Sequence, residues 1–262
     1  MAVCANEDVN VTNIDEDNID EAVCQTLYVS PQGDDQWGNG SADSPYSSIS
    51  YAVGISSNNS KIVLMDGVYA GSLNTNVNVD KDLTIEANGS GVTINGESKN
   101  YFFKISKGSS LVLNNIKFVN GFTDSYVQLG AIYNQGKLLV NNSSFNSMKT
   151  VMSVFFNEGQ LIVDNTQISD SKSQNLAHMI TNIGDCTISN SKFTDSNTGT
   201  LSTVYNFKNI TVINSQFYSL FSNPQYDEFN YEDAFILIRN STLNVIELEN
   251  GSCAISNSKI NT

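Results

Sequence analysis

The chain has 262 residues, 40% of them hydrophobic and only 15% charged, with 27 acids against 13 bases and a net charge of −14. That balance can supply a core, but it repels nucleic acid and anionic membranes, which both call for a basic face, and it disfavours a polyanionic substrate such as pectate. The sequence contains no apolar run of about 18 residues, so nothing here reads as a helix that spans a membrane.

Residues 1–26 read as a flexible acidic leader. Glu7, Asp8, Asp15, Glu16, Asp17, Asp20 and Glu21 carry negative charge with few apolar residues between them. Val3-Cys4-Ala5 has the small residues of a signal-peptidase site, so the start reads either as a truncated secretory signal or as an ordinary unstructured terminus. From residue 27 to 262 the expectation is a single elongated domain. Leu27-Tyr28-Val29-Ser30-Pro31 predicts a short strand, followed by a turn-rich loop that holds the only tryptophan, Trp37. The pair Asp34 and Asp35 lacks the spacing of a calcium loop and reads as a solvated turn. A helix is predicted over about 45–56. Ser44 would be its N-cap, Pro45 its first residue, and Tyr46, Ile49, Ala52 and Val53 its apolar face. Its expected job is to cap the end of the strand stack, with Trp37 as a buried plug.

Short strands with glycine turns follow at 61–65, 83–87, 92–94 and 101–105. Then the chain repeats itself. Leu138-Leu139-Val140-Asn141-Asn142-Ser143-Ser144-Phe145 returns at Leu161, Cys186 and Ile210, after steps of 23, 25 and 24 residues. An earlier copy starts at Leu111, and the excess before the next copy falls in 121–128, read as a surface excursion. A second line of the repeat contains Asn134, Asn157, Asn182 and Asn206. Periods of this size indicate a solenoid. They leave no room for a helix in each coil, so successive coils must pair in parallel. The fold class is therefore all-β, a single-stranded right-handed parallel β-helix of about 24 residues per coil with an N-terminal capping helix.

Side chains alternate across a strand. Leu138, Val140, Ile132, Phe155, Ile180 and Val204 are expected to point inward, with Phe145, Ile168, Phe193 and Phe217 closing each coil. Tyr133, Phe156 and Tyr205 then point outward, where their rings could stack on sugars or pack only on neighbouring rungs. Two asparagine columns, Asn134, Asn157, Asn182, Asn206 and Asn142, Asn165, Asn190, Asn214, fall at strand ends. They read as structural amide ladders rather than catalytic groups. Residues 222–233 interrupt the repeat with Tyr226, Phe229 and Tyr231 among acids, a second candidate contact surface. Cys186 and Cys253 stand in aliphatic columns at least two rungs apart, too far for a disulfide, which leaves only Cys4 with Cys24 open. The chain stops partway round a coil, so either the end frays or a longer protein continues.

Tyr28-Val29-Ser30-Pro31 with its Gly/Asp loop, Val63-Leu64-Met65-Asp66-Gly67-Val68-Tyr69, and the coil from Gly130-Ala131-Ile132-Tyr133-Asn134 to Phe145 together resemble the adhesin-like surface proteins of methanogenic archaea. Those are right-handed parallel β-helices of the pectin-lyase-like superfamily, and the coil is also similar to polymorphic outer-membrane protein repeats. The resemblance implies a secreted or cell-surface binding protein that contacts glycans or surface proteins of other cells, without cofactor or metal. The nine Asn-x-Ser/Thr sequons fit an extracellular location. The competing readings are a polysaccharide lyase or hydrolase and a purely structural stalk. Against the enzyme, Arg239 has no acidic cluster aligned with it, Asp164, Asp170, Asp185 and Asp195 fall in different columns, and His178 stands alone.

Overall fold

The computed structural model of the protein describes residues 24–124, 130–170, 172–173 (backbone only), 178–194, 203–222, 234–249 and 251–261. The leader therefore lies almost wholly outside the described residues, as do Tyr226, Phe229, Tyr231, Asp195 and Cys4.

Within those residues the chain winds as a right-handed parallel β-helix. A full coil contributes one strand in turn to sheets A, B and C, and some coils omit one. Sheet A has ten strands, running from Thr26–Val29 through Lys137–Asn141 to Ser252–Ser256. Sheet B has six, from Gly67–Ala70 to Lys192–Thr194, and its line continues by single bridges through Gln216 to the strand pair Thr242–Leu243 and Lys259–Ile260; sheet C has eight, from Val77–Val79 to Val245–Leu248. Every strand pair is parallel, and its register follows the repeat: Leu138 lies against Leu161, Leu161 against Cys186, and Cys186 against Ile210. Parallel crossovers of this kind take the right-handed sense.

The predicted inward columns form the core. Leu138, Val140, Ile132, Phe155, Ile180 and Val204 are buried, as are the closing residues Phe145, Ile168, Phe193 and Phe217. Phe118 and Phe145 stack at 4.5 Å, close to the rung spacing, so the aromatic column packs upon itself.

Three ladders fix the corners. At the A-to-B bend, Asn115, Asn142, Asn165, Asn190, Asn214, Asn240 and Asn257 all have φ between 43° and 60°, the left-handed conformation that asparagine tolerates better than other side chains. Their amides link coils: Asn214 Nδ2 donates to Asn190 Oδ1 at 3.1 Å, Asn240 to Asn214 at 3.2 Å, and Asn165 to Asn142. Asn190 departs from this line and donates to Asp164 Oδ1. The next residue is the small polar position of the repeat, and it builds a ladder that the sequence pattern hinted at without explaining. The backbone N–H groups of Thr166, Ser191, Ser215 and Ser241 each donate at 3.1 Å to the hydroxyl one coil on, from Ser191, Ser215, Ser241 and Ser258 respectively. Each hydroxyl in turn donates to the carbonyl two residues before it, as Ser191 does to Ser189 at 2.6 Å. The bend's buried backbone donors are thus satisfied.

At the C-to-A bend the first asparagine column is buried. Asn134 Nδ2 donates to Asn157 Oδ1 at 2.7 Å, Asn157 to Asn182 at 2.7 Å and Asn182 to Asn206 at 2.8 Å. Two residues on, Gly136, Gly159 and Gly184 pass so close to the neighbouring coil that a Cβ at Gly159 or Gly184 would lie within 2.0 Å of a carbonyl oxygen. In the next coil Lys208 stands where the glycine would be, and the turn keeps its length, since Asn206 pairs with Asn182 and Ile210 with Cys186.

The helix differs from expectation at its start. It spans Ile49–Ile55, and Ser48 is the N-cap, its Oγ accepting from Tyr51 N. Pro45 and Ser44 belong to the preceding loop. A helix this short is not stable by itself; the surrounding chain holds it. Asp35 accepts from the backbone of Ser47 and Ser48 and from Ser48 Oγ at 2.6 Å, while Lys81 Nζ reaches the carbonyls of Val53 and Ser56 at the other end. Ile49, Ala52 and Val53 are buried against the first rungs, so the helix covers the core as expected. Trp37 is not a plug: it is 78% exposed. Asp34 caps its own turn by accepting from Gln36 and Trp37 N–H groups, as a solvated turn requires.

Coil length varies where the repeat breaks. The segment from 121 begins as part of the stack, with Phe122 N donating to Asn100 O and Thr123 N to Lys149 O; only 125–129 fall outside the description. Ile236 pairs with Cys253, a coil of 253 − 236 = 17 residues.

Candidate binding faces

The outward face of sheet C carries the aromatic column. Its register runs Asn78, Lys104, Tyr133, Phe156, Thr181, Tyr205, Phe221 and Glu247. These side chains leave the main core, as the alternation predicts, but they are not an open platform. Tyr133, Phe156 and Thr181 are buried, and Tyr133 and Phe156 form a second apolar cluster with Ile183, Phe207, Met152 and Tyr205. Of the aromatic rings in the column, only Tyr205 and Phe221 are half-exposed. The faces of the Tyr205 ring are taken, by His178 at 4.9 Å on one rung and by Phe221 at 5.1 Å on another. Of the two readings of this column, sugar stacking or packing on neighbouring rungs, the burial of Tyr133 and Phe156 fits the second. Rings on adjacent rungs pack on one another, edge to face for Tyr133 and Phe156 at 5.7 Å and stacked for Tyr205 and Phe221 at 5.1 Å.

Charge enters this face only towards its two ends, at Lys104 and at exposed Glu247. Lys104 Nζ sits 5.5 Å from the centre of the Tyr133 ring. Glu158, at the turn of the next coil, accepts from Gln135 Nε2 at 2.9 Å. Burial, and then the hydrogen bond to Glu158 and its negative charge, push the Tyr133 phenol well above its usual range. Tyr133 therefore stays a neutral donor and is unsuited to act as a base.

The acids do not converge. Among the described residues no group of three or more His, Cys, Asp or Glu side chains could hold a metal ion. Asp164 is engaged by Ser189 Oγ at 2.6 Å and by Asn190, and Asp185 by Asn209 at 3.1 Å and Lys208 at 3.9 Å. Arg239 lies in register with Ile213 and Ser256, away from any carboxylate of its column. Cys186 is buried and Cys253 half-buried; both are free thiols, three rungs apart.

The outer face of sheet B differs in character. Its column runs Val68, Thr93, Lys117, Ser144, Gln167, Lys192, Gln216, Thr242 and Lys259. Beside it stands the exposed asparagine column of the bend. Together they present amides, hydroxyls and ammonium groups at fixed rung spacing along the shaft.

No known protein family and no curated protein matches the sequence. Solved structures do resemble the fold. A pectin methylesterase, PemA from Erwinia chrysanthemi, is similar with a TM-score of 0.58 at 13% identity, over 92% of this chain and 91% of that one. A PL6 family alginate lyase, AlyGC, aligns with a TM-score of 0.56 at 14% identity, over 95% of this chain but only 41% of that one. A rhamnogalacturonan lyase aligns at 0.52 with 12% identity, over 84% and 68%. At such identities the likeness is one of architecture: a parallel β-helix of the kind found among polysaccharide lyases and pectin methylesterases.

Proposed function

We propose that the chain is a secreted or cell-surface β-helix protein that binds glycans, or the glycan-bearing surface of another cell, without chemically changing them. The observation that carries this reading is the repeated array of exposed amides and hydroxyls on the outer face of sheet B and the neighbouring asparagine bend. Donors and acceptors fixed on a rigid shaft suit a hydroxyl-rich polymer, because little side-chain freedom is lost on contact. The three structural neighbours act on pectin, alginate and rhamnogalacturonan by their names, which supports a glycan context and not a particular reaction. The adhesin-like resemblance of the sequence agrees.

The test is a glycan array and whole-cell binding screen with the 262-residue chain, run beside a Tyr226→Ala/Phe229→Ala/Tyr231→Ala variant. Saturable binding to one or more glycans or cell surfaces is expected. Unchanged binding by the variant removes the 222–233 segment as the contact. No binding to any glycan or cell surface removes the reading and favours the structural stalk, while release of cleaved or de-esterified product favours the enzyme.

A further inference from the structure

In a chain where acids outnumber bases 27 to 13, the outward column of sheet B holds nine successive positions and not one acid. The neighbouring outward positions of the same sheet, Asn95, Val119, Asn146 and Ser169, are uncharged as well. Lys117, Lys192 and Lys259 are exposed; their backbones bond within the stack, but none of the three ammonium groups takes part in an ion pair or hydrogen bond found among the described residues. Their register is regular. Ser144 and Gln167 separate Lys117 from Lys192, and Gln216 and Thr242 separate Lys192 from Lys259, so each interval is three rungs, or about 14 Å. The strip is also rigid: directly behind it Phe118, Phe145, Ile168, Phe193 and Phe217 are buried, and the asparagine and serine ladders pin its edge.

We propose that this strip binds a linear carboxylated glycan laid along the solenoid axis, with its charges spaced widely enough to meet successive lysines while the intervening Gln, Ser and Thr take its hydroxyls. The inference rests on the glycan-binding reading above and names the face and ligand class. Spacing and net charge select sparse anions over dense ones. Ammonium groups about 14 Å apart lie beyond the Debye length of about 8 Å at physiological salt, so each lysine acts on the anion nearest to it. A polymer with a carboxylate on every ring brings anions that no lysine meets, and the overall charge of −14 repels them.

The experiment measures retention of the full chain on immobilised hyaluronan, with one carboxylate per disaccharide, beside polygalacturonate, with one per sugar, and neutral dextran. Hyaluronan is expected to retain the protein best, with retention falling as salt rises. Lys117→Gln/Lys192→Gln/Lys259→Gln should weaken it roughly tenfold or more, each exposed pair contributing a small, salt-sensitive share. The triple Lys→Arg variant should keep it. Glutamine already occupies this column at 167 and 216, so the exchange suits the fold; an unchanged circular dichroism melt checks this. A Lys137→Gln variant on sheet A should bind as the unaltered chain does. Equal retention on dextran, tighter retention on polygalacturonate, or a triple Gln variant that binds hyaluronan unchanged overturns the proposal. If the chain binds neutral glycans or cells and the triple variant does so equally, the strip is wrong and the parent reading stands. If it binds nothing at all, both fail.

Discussion

Asn157 and Asn165 occupy equivalent-looking places in the repeat but do different work. Asn157 is fully buried; its oxygen accepts from Asn134, and its amide nitrogen reaches Asn182 and the carbonyl of Asp185. Asn157→Ala strands buried polar groups and opens a void, so it should cost about 2–4 kcal/mol, read as a lowered denaturation midpoint. Asn165 is exposed and holds a left-handed φ of 43°. Asn165→Ala should cost about 1–2 kcal/mol, nearly all from backbone strain, and Asn165→Gly should cost less than Ala. Equal losses at the two positions would contradict this division. The thiols separate in the same way. Burial, with the nearby Asp185 charge second, raises the Cys186 thiol far above its ordinary value, so it should resist alkylation until the chain unfolds, whereas half-buried Cys253 should react more readily in the native state, as peptide mapping by mass spectrometry can read. At this scale the inward aliphatics were legible because alternation alone sets them. The burial of Tyr133 and Phe156 was not: alternation says which way a ring leaves a sheet, and the neighbours Met152, Ile183 and Phe207 that help enclose it come from other columns. The glycines at 136, 159 and 184 were within reach, since each follows a ladder asparagine by two residues, but their cause, close approach of adjacent coils, is visible only in three dimensions.

Among elements, the helix teaches most. Its apolar face was readable from spacing, but its boundary was not, because its caps come from outside it: Asp35 at one end and Lys81 at the other. Partial burial raises the Asp35 carboxyl, but the hydrogen bonds from Ser48 and Ser47 outweigh this and leave it below its usual value. A carboxyl depressed in the folded state stabilises fully above its unfolded value of about 3.9 and loses that contribution as pH falls through the lower folded value. The stability gap between the unaltered chain and Asp35→Asn should therefore be constant near neutrality and shrink only below about pH 4. A gap independent of pH down to strong acid would contradict the assignment. Trp37 gives a simpler check on the same region. As the sole tryptophan and largely exposed, it should show solvent-exposed fluorescence and ready quenching in the native protein; a blue-shifted, protected emission would restore the buried plug.

For the whole molecule, the sequence carried the architecture because a solenoid repeats its local rules. One coil read correctly predicts its neighbours, and the registers in sheets A and B follow from the steps between copies of the motif. The 17-residue final coil escaped because it abandons the period while keeping the inward columns. Function was less legible for the same reason: the invariant positions build the rod, so chemistry must lie in what varies on its outside. The proposed function has the outside of the rod bind glycan and not process it. The most direct measurement incubates the chain with methyl-esterified pectin, alginate, rhamnogalacturonan and hyaluronan, recording bound protein and released product in the same samples. The account predicts salt-sensitive binding to hyaluronan with no unsaturated ends, no new reducing ends and no methanol. Product that accumulates in proportion to protein and time would contradict it.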